Sequence, residues 1–373
     1  MFELIEKAIT KEKVSQRAIA SATNVSLSQV NLLLNKQKII RFDSALKICQ
    51  FLIPESEKPF MLQYCLKCEN KNLKSALEYC SVNREMEVFY QLLKKAKVDK
   101  NASVREWARI YDLVFAFQNA EMDEKASIMR SSLTRRIDTN ETELKILLVL
   151  LEIYCLYFND DSSKIYRYAK ELEEELELIT EPFIRYSYST RLFEILAHAE
   201  MKYKVNPLAA RNYCDLILSN NVSPWFNATA LFIKGLSLFY ENMDDCIKYL
   251  KCCGDIYREA GREEWALGID ANIEEAYIYW GKMDEIELVI YKKVFESIPK
   301  ENPVMSDYGI NVDKGFLLYI LGKMTKDSTT LQRSLLYYTK IGDLFRARMP
   351  ETELLLIGED ETLVKDIISV IKP

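Results

Sequence analysis

Glycine and proline are scarce in this chain, ten and nine among 373 residues. Barrels and sandwiches turn every few residues and draw on these punctuators, so their scarcity excludes an all-β architecture. Histidine is scarcer still, with His198 alone, which excludes the paired-histidine metal motifs. No Gly-rich phosphate loop and no nucleophile elbow is present. The expectation is therefore neither an enzyme nor a holder of metal or cofactor. No uncharged apolar run approaches ~18 residues; even 144–158 is interrupted by Lys145 and Glu152. Glu3 and Glu6 stand where a signal peptide would carry its apolar core. Nine cysteines, an odd number without regular spacing, suit reduced thiols. A soluble cytoplasmic protein with no membrane contact is expected.

Leu, Glu and Lys dominate what remains, and they favour helix nearly everywhere. Charge is unevenly shared. Residues 1–100 carry 17 Lys and Arg against 11 Asp and Glu, whereas the rest carries 33 against 45. A basic front on an acidic body predicts an anionic partner for the front only.

Residues 1–53 read as a compact five-helix pattern centred on Gln16 to Asn35. Ala20 is small enough for two helices to cross closely, and Asn24 can take the left-handed turn conformation. Ser26 suits an N-cap and is also a candidate DNA contact, and Val30, Leu33 and Leu34 form a buried stripe. This is a helix-turn-helix layout whose second helix would enter the major groove of operator double-stranded DNA. Ser28, Gln29 and Asn31 are its expected exposed polar positions, able to pair with base edges. Gln16 and Arg17, before the first helix of the motif, together with Lys36, Lys38 and Arg41 would meet phosphates.

Residues 54–60, with Pro54 and Pro59, read as a linker. Amphipathic helices then continue to the end. Met243, Met283 and Met324 mark repeated junctions 40 and 41 residues apart, each after an aromatic-rich helix. Paired helices at this period indicate a tetratricopeptide-like α-solenoid over 61–357, with a final helix over 358–373. The fold class is all-α.

The solenoid offers a candidate peptide site. Arg185 and Arg211, with Arg191, stand among Tyr186, Tyr188 and Tyr213, and arginine holds a carboxylate by charge-assisted hydrogen bonds. Asn227 and Asn272 suit backbone recognition because an amide both donates and accepts. Glu275 joins Asn272 on the same helix, and Asp343, after Gly342, would face a basic side chain. Cys65 and Cys68 resemble half a metal or redox site, with no second pair to complete it. They read as core, and the acidic run 171–177 as a solvated helix face.

Five segments carry a resemblance: Met61-x-x-Tyr64-Cys65-Leu66; Ser75-Ala76-Leu77-Glu78-Tyr79; Ile184-Arg185-x-x-Tyr188-x-Thr190-Arg191; Leu208-x-x-Arg211-x-Tyr213; and Asp343-x-Phe345-x-x-Arg348-x-Pro350-x-x-Glu353-Leu354. In this order they resemble the peptide-pheromone receptors of Gram-positive bacteria, and among them the arbitrium receptors (AimR-type) of temperate Bacillus phages. The resemblance implies a dimeric regulator that binds phage operator DNA and senses a secreted hexapeptide. It implies activation of a regulatory transcript that favours lysis until peptide binding abolishes productive DNA binding. By the same resemblance Arg211 grips the peptide C-terminus, Asp343 supplies an acidic contact, and Asn221 supplies an amide contact. Tyr186 stands where the family pattern has Asn. A C-terminal stripe of Leu363, Ile367, Ile368 and Ile371 suits the homodimer contact. A chromosomal pheromone-responsive regulator and a solenoid scaffold inhibiting a protein partner are the alternative functions.

Overall fold

The structure, a computed structural model, describes residues 5, 9–10, 13–35, 39–69, 71–119, 138–158, 162–287, 291–292 and 313–369. Regular structure among them is helical throughout, with no strand. By packing, the chain divides into two compact units. One comprises residues 1–159 with 166–192, and the other residues 160–165 with 193–373.

In the first unit, Gln16–Thr23, Leu27–Leu34 and Phe42–Leu52 are helices of the front segment. Ser15 caps the first by accepting from the Ala18 amide at 3.1 Å. Gln16 and Arg17 are thus the first two residues of that helix instead of preceding it. Asn24 ends it at φ 53, ψ 35, the left-handed conformation its short polar side chain tolerates. Ser26 then caps the second helix through the Gln29 amide at 3.3 Å. Val30 and Leu33 are fully buried there, while Leu34, expected with them, is only half-buried.

Residues 54–60 are helical: Pro54–Ser56 forms a 3-10 turn and Glu57–Lys67 an α-helix. Phe60 at that junction is buried, and Tyr64 donates to the Ile40 carbonyl, tying the front segment to the Glu57–Lys67 helix. Lys71–Val82, Met86–Lys97 and Ala102–Asn119 pack on one another behind it. At their centre the carboxylate of Glu78 is fully buried. It accepts from Tyr111 Oη at 2.8 Å, from Arg191 Nε at 3.1 Å, and from Ser187 Oγ.

The second unit is a run of antiparallel helix pairs. Pro207–Asn220, Pro224–Ser237, Met243–Glu259 and Glu263–Tyr279 each pack on the next, as do Lys314–Thr325, Ser328–Lys340 and Leu344–Leu356. Asn242 and Asp327 cap the helices that open after repeat junctions. Lys314–Thr325 approaches its partner so closely at Gly322 that an added Cβ would lie 2.7 Å from Leu331 Cγ. Only glycine fits there. Glu200–Lys204 is a π-helical turn followed by Val205 at φ 50, and Leu344–Leu356 packs against this turn.

Candidate functional site

The front segment presents a mixed face on its second helix. Successive residues are offset by ~100° around a helix axis, so Leu27, Asn31 and Ser28 share one arc. Leu27 and Ser28 are exposed and Asn31 is half-buried. Gln29 lies about 200° from Leu27, on the flank towards Val30 and Leu33. Its Oε1 is buried without a hydrogen-bond partner. The expectation that Gln29 is an exposed reading position is therefore corrected, because the buried stripe draws its flank inward. Arg17 is exposed, whereas Lys36 and Lys38 lie outside the described residues. Arg41 is exposed but paired with Asp43 at 3.2 Å and Glu181 at 3.5 Å. A cavity of about 570 Å³ opens beside it, lined in part by Lys74, Trp107, Glu143 and Glu181.

The arginine and tyrosine cluster of 185–191 separates by burial. Arg185 pairs with Glu177 at 3.3 Å, and its guanidinium lies over the ring of exposed Tyr186 at 5.6 Å. Tyr188 is fully buried, its hydroxyl 3.1 Å from that of Tyr111. Burial and the Glu78 charge both raise its pKa. Arg191 completes the Glu78 network. Tyr188 and Arg191 therefore hold the first unit together, and neither offers a surface to a ligand.

In the second unit, Arg211 is aimed by three acceptors. It donates to Ser237 Oγ at 2.8 Å, to the Ser237 carbonyl at 2.7 Å and to Glu241 Oε2 at 2.6 Å. Asn221, at φ 45, ends Pro207–Asn220, and its Oδ1 accepts from Asn227 Nδ2 at 2.8 Å. That bond uses the Asn227 donor, while Asn227 Oδ1 is buried without a hydrogen-bond partner.

The other expected residues converge on one that the sequence did not single out. Arg346 Nη2 lies 3.4 Å from Glu275 Oε2 and 3.5 Å from Asn272 Oδ1. Asp343 accepts from the Arg346 backbone amide at 2.9 Å, capping Leu344–Leu356. Burial raises the carboxyl pKa of both Glu275 and Asp343, and Arg346 opposes the shift in each. Asp313 faces both acids as well, and Lys202 joins Arg346 near Asp343, so three acids meet two cations, a setting suited to a basic group. Next to it, Tyr240 donates to the Phe345 carbonyl at 2.6 Å and Arg348 lies over the Tyr240 ring at 4.5 Å. The recurring i, i+3 spacing, Asn272 to Glu275 and Asp343 to Arg346, is the one signal that could have found Arg346.

Cys65 and Cys68 are buried at the end of Glu57–Lys67, with thiol pKa values raised by burial. No group of metal-ligating side chains forms among the described residues, and no described helix is long and apolar enough to cross a membrane.

A family model described as AimR transcriptional regulator-like matches residues 57–355. The AimR transcriptional regulator of Bacillus phage SPbeta is 23% identical over 350 residues, covering 87% of each chain. That of Bacillus phage phi3T is 22% identical over 340 residues, covering 87% of this chain and 88% of its own. A solved structure of selenomethionine phAimR matches with TM-score 0.74 at 19% identity, over 98% of this chain and 99% of that one. A phAimR–ligand structure matches with TM-score 0.67 at 19% identity, over 84% and 96%. At such identities the two structures establish shared fold. The family is one of transcriptional regulators, not of enzymes. Matched by its model over well more than half of its length, the chain belongs to the AimR transcriptional regulator-like family.

Proposed function

We propose that this protein is a phage regulator of the choice between lysis and lysogeny, binding operator DNA as a homodimer in the host cytoplasm. The front segment, residues 1–53, reads the operator, and a secreted hexapeptide bound to the repeats over 61–357 abolishes productive binding. The observation that carries this reading is the convergence of Asn272, Glu275 and Asp343 on Arg346 in a chain of this family. Such a cluster recognises a short peptide by its backbone amides and a basic side chain, while Arg211 takes its carboxylate. Arg185 and Tyr186 are further candidate contacts, and Tyr188 is withdrawn because it is buried. The Glu361–Ser369 helix, with exposed Leu363, supports the dimer.

A C2 dimer presents two reading helices whose separation must match the DNA helical repeat. Peptide binding that favours one curvature of the repeats would move them off that spacing or weaken the dimer.

Calorimetric titration of the full chain with a panel of arbitrium-like hexapeptides, with light-scattering mass on each mixture, tests this. One peptide should bind with micromolar or tighter affinity, and Arg211→Ala should lose it. Absence of binding across the panel would turn the assignment towards a scaffold for a protein partner.

A further inference from the structure

We propose that Leu27 is a specificity-determining residue of the DNA-reading helix, packing its isobutyl group on the C5-methyl of a thymine. This inference rests on the proposed binding of operator DNA. Leu27 is the first residue of Leu27–Leu34, directly after the Ser26 cap, and helix-turn-helix proteins bring that end of the second helix to the bases.

Leu27 as a residue is 40% exposed, although Val30 and Leu33 on the same short helix are wholly buried. The helix therefore turns one large aliphatic group away from its own core at its entering end. Asn31 lies one turn further along the same arc, and Ser28 borders it. One apolar group flanked by an amide and a hydroxyl matches the major-groove edge of an A·T pair. The amide suits adenine N6 and N7, and the aliphatic group suits the thymine methyl. Gln29, the residue type that would otherwise read adenine, has its carbonyl oxygen buried on the far flank.

The occupant is set by charge: residues 1–53 carry eight Lys and Arg against four Asp and Glu, and no acid lies within 18–35 to repel a polyanion from this helix.

The test selects duplexes from a randomised pool with the full-length protein. Each thymine of the best duplex is then replaced in turn by deoxyuridine, which lacks only the methyl group. Wild-type protein should lose affinity about 3–5-fold at one or two positions, the worth of one buried methyl. Leu27→Ala should bind more weakly and be indifferent to that replacement, with an unchanged salt slope because no charge is lost. Leu27→Met, which retains an apolar tip, should keep the methyl sensitivity. Unaltered methyl sensitivity in Leu27→Ala would overturn the assignment of Leu27 alone. Failure of wild-type protein to enrich any duplex would overturn the DNA-binding reading, and this inference with it. Coincident far-ultraviolet spectra and melting of wild type and Leu27→Ala would exclude unfolding as the cause of weaker binding.

Discussion

Glu78 and Arg191, 113 positions apart in sequence, meet as a buried ion pair at 3.1 Å. A second contact joins Arg191 Nη2 to Glu78 Oε2 at 3.2 Å, and Ser81 Oγ accepts from the same nitrogen at 3.1 Å. Such a pair contributes little relative to a well-packed apolar replacement, but losing one member strands a charge at a cost of ~3–5 kcal/mol. Arg191→Met should therefore destabilise the first unit by about that amount in urea unfolding. Glu78→Leu combined with Arg191→Met should recover most of it. A single variant as stable as wild type would show that the pair does not hold the unit.

The carboxyl of Glu275 gives a pH prediction with a definite sign. Burial raises its pKa above 4.5, and Arg346 offsets this only in part. A raised acid pKa means that the folded state holds the proton more tightly than the unfolded chain. Its contribution is then fully present below about pH 4.5 and declines as pH rises through the folded value. Glu275→Gln removes this dependence. The melting temperature of the variant relative to wild type should therefore climb from pH 4.5 upward. A difference that shrinks with rising pH would contradict the sign.

Val205 holds φ 50 and ψ 46 directly after the π-helical turn Glu200–Lys204. A β-branched residue there carries strain of ~1–2 kcal/mol, and glycine would relieve it while adding ~0.5–1 kcal/mol of unfolded-state entropy. Val205→Gly should leave the second unit equally stable or up to ~1 kcal/mol more stable. A clear loss on thermal melting would show that the half-buried valine methyls outweigh the strain.

Asn24 and Val205 divide what could be read in the chain from what could not. Asn24 advertises its left-handed turn because its side chain tolerates that conformation, and Ser26 advertises its cap by hydroxyl chemistry. Both are local, and both appear where the sequence puts them. At Val205 the same backbone closes the π-helical turn, its N–H donating to the Glu200 carbonyl, on a residue that resists it and has no side-chain chemistry to report it. The sites divide likewise. An arginine among tyrosines looks the same whether it lines a groove or is buried, and only Glu78, far away in sequence, decides that Arg191 and Tyr188 lie inside. Asn272, Glu275 and Asp343 were readable as polar residues on helices, but their common partner Arg346 emerges only when Leu344–Leu356 packs.

Glu241 supplies the last prediction, which rests on Arg211 as the holder of the peptide C-terminus. The Glu241 carboxylate lies 2.6 Å from Arg211 Nη2, on a side chain that is half exposed. A peptide carboxylate would compete for the same guanidinium, because a fork of donors satisfied by one carboxylate is less available to another. Ser237 holds Arg211 through Nε and Nη2 independently of Glu241, so the arginine stays aimed when the acid is neutralised. Glu241→Gln should therefore tighten binding of the cognate hexapeptide several-fold, about the worth of one exposed ion pair. Arg211→Ala should abolish the response, and the double variant should behave as Arg211→Ala does. Titration of the three variants with one peptide checks the scheme. Weaker binding by Glu241→Gln would mean that the acid itself contacts the peptide, and Arg211 would then be its positioning partner.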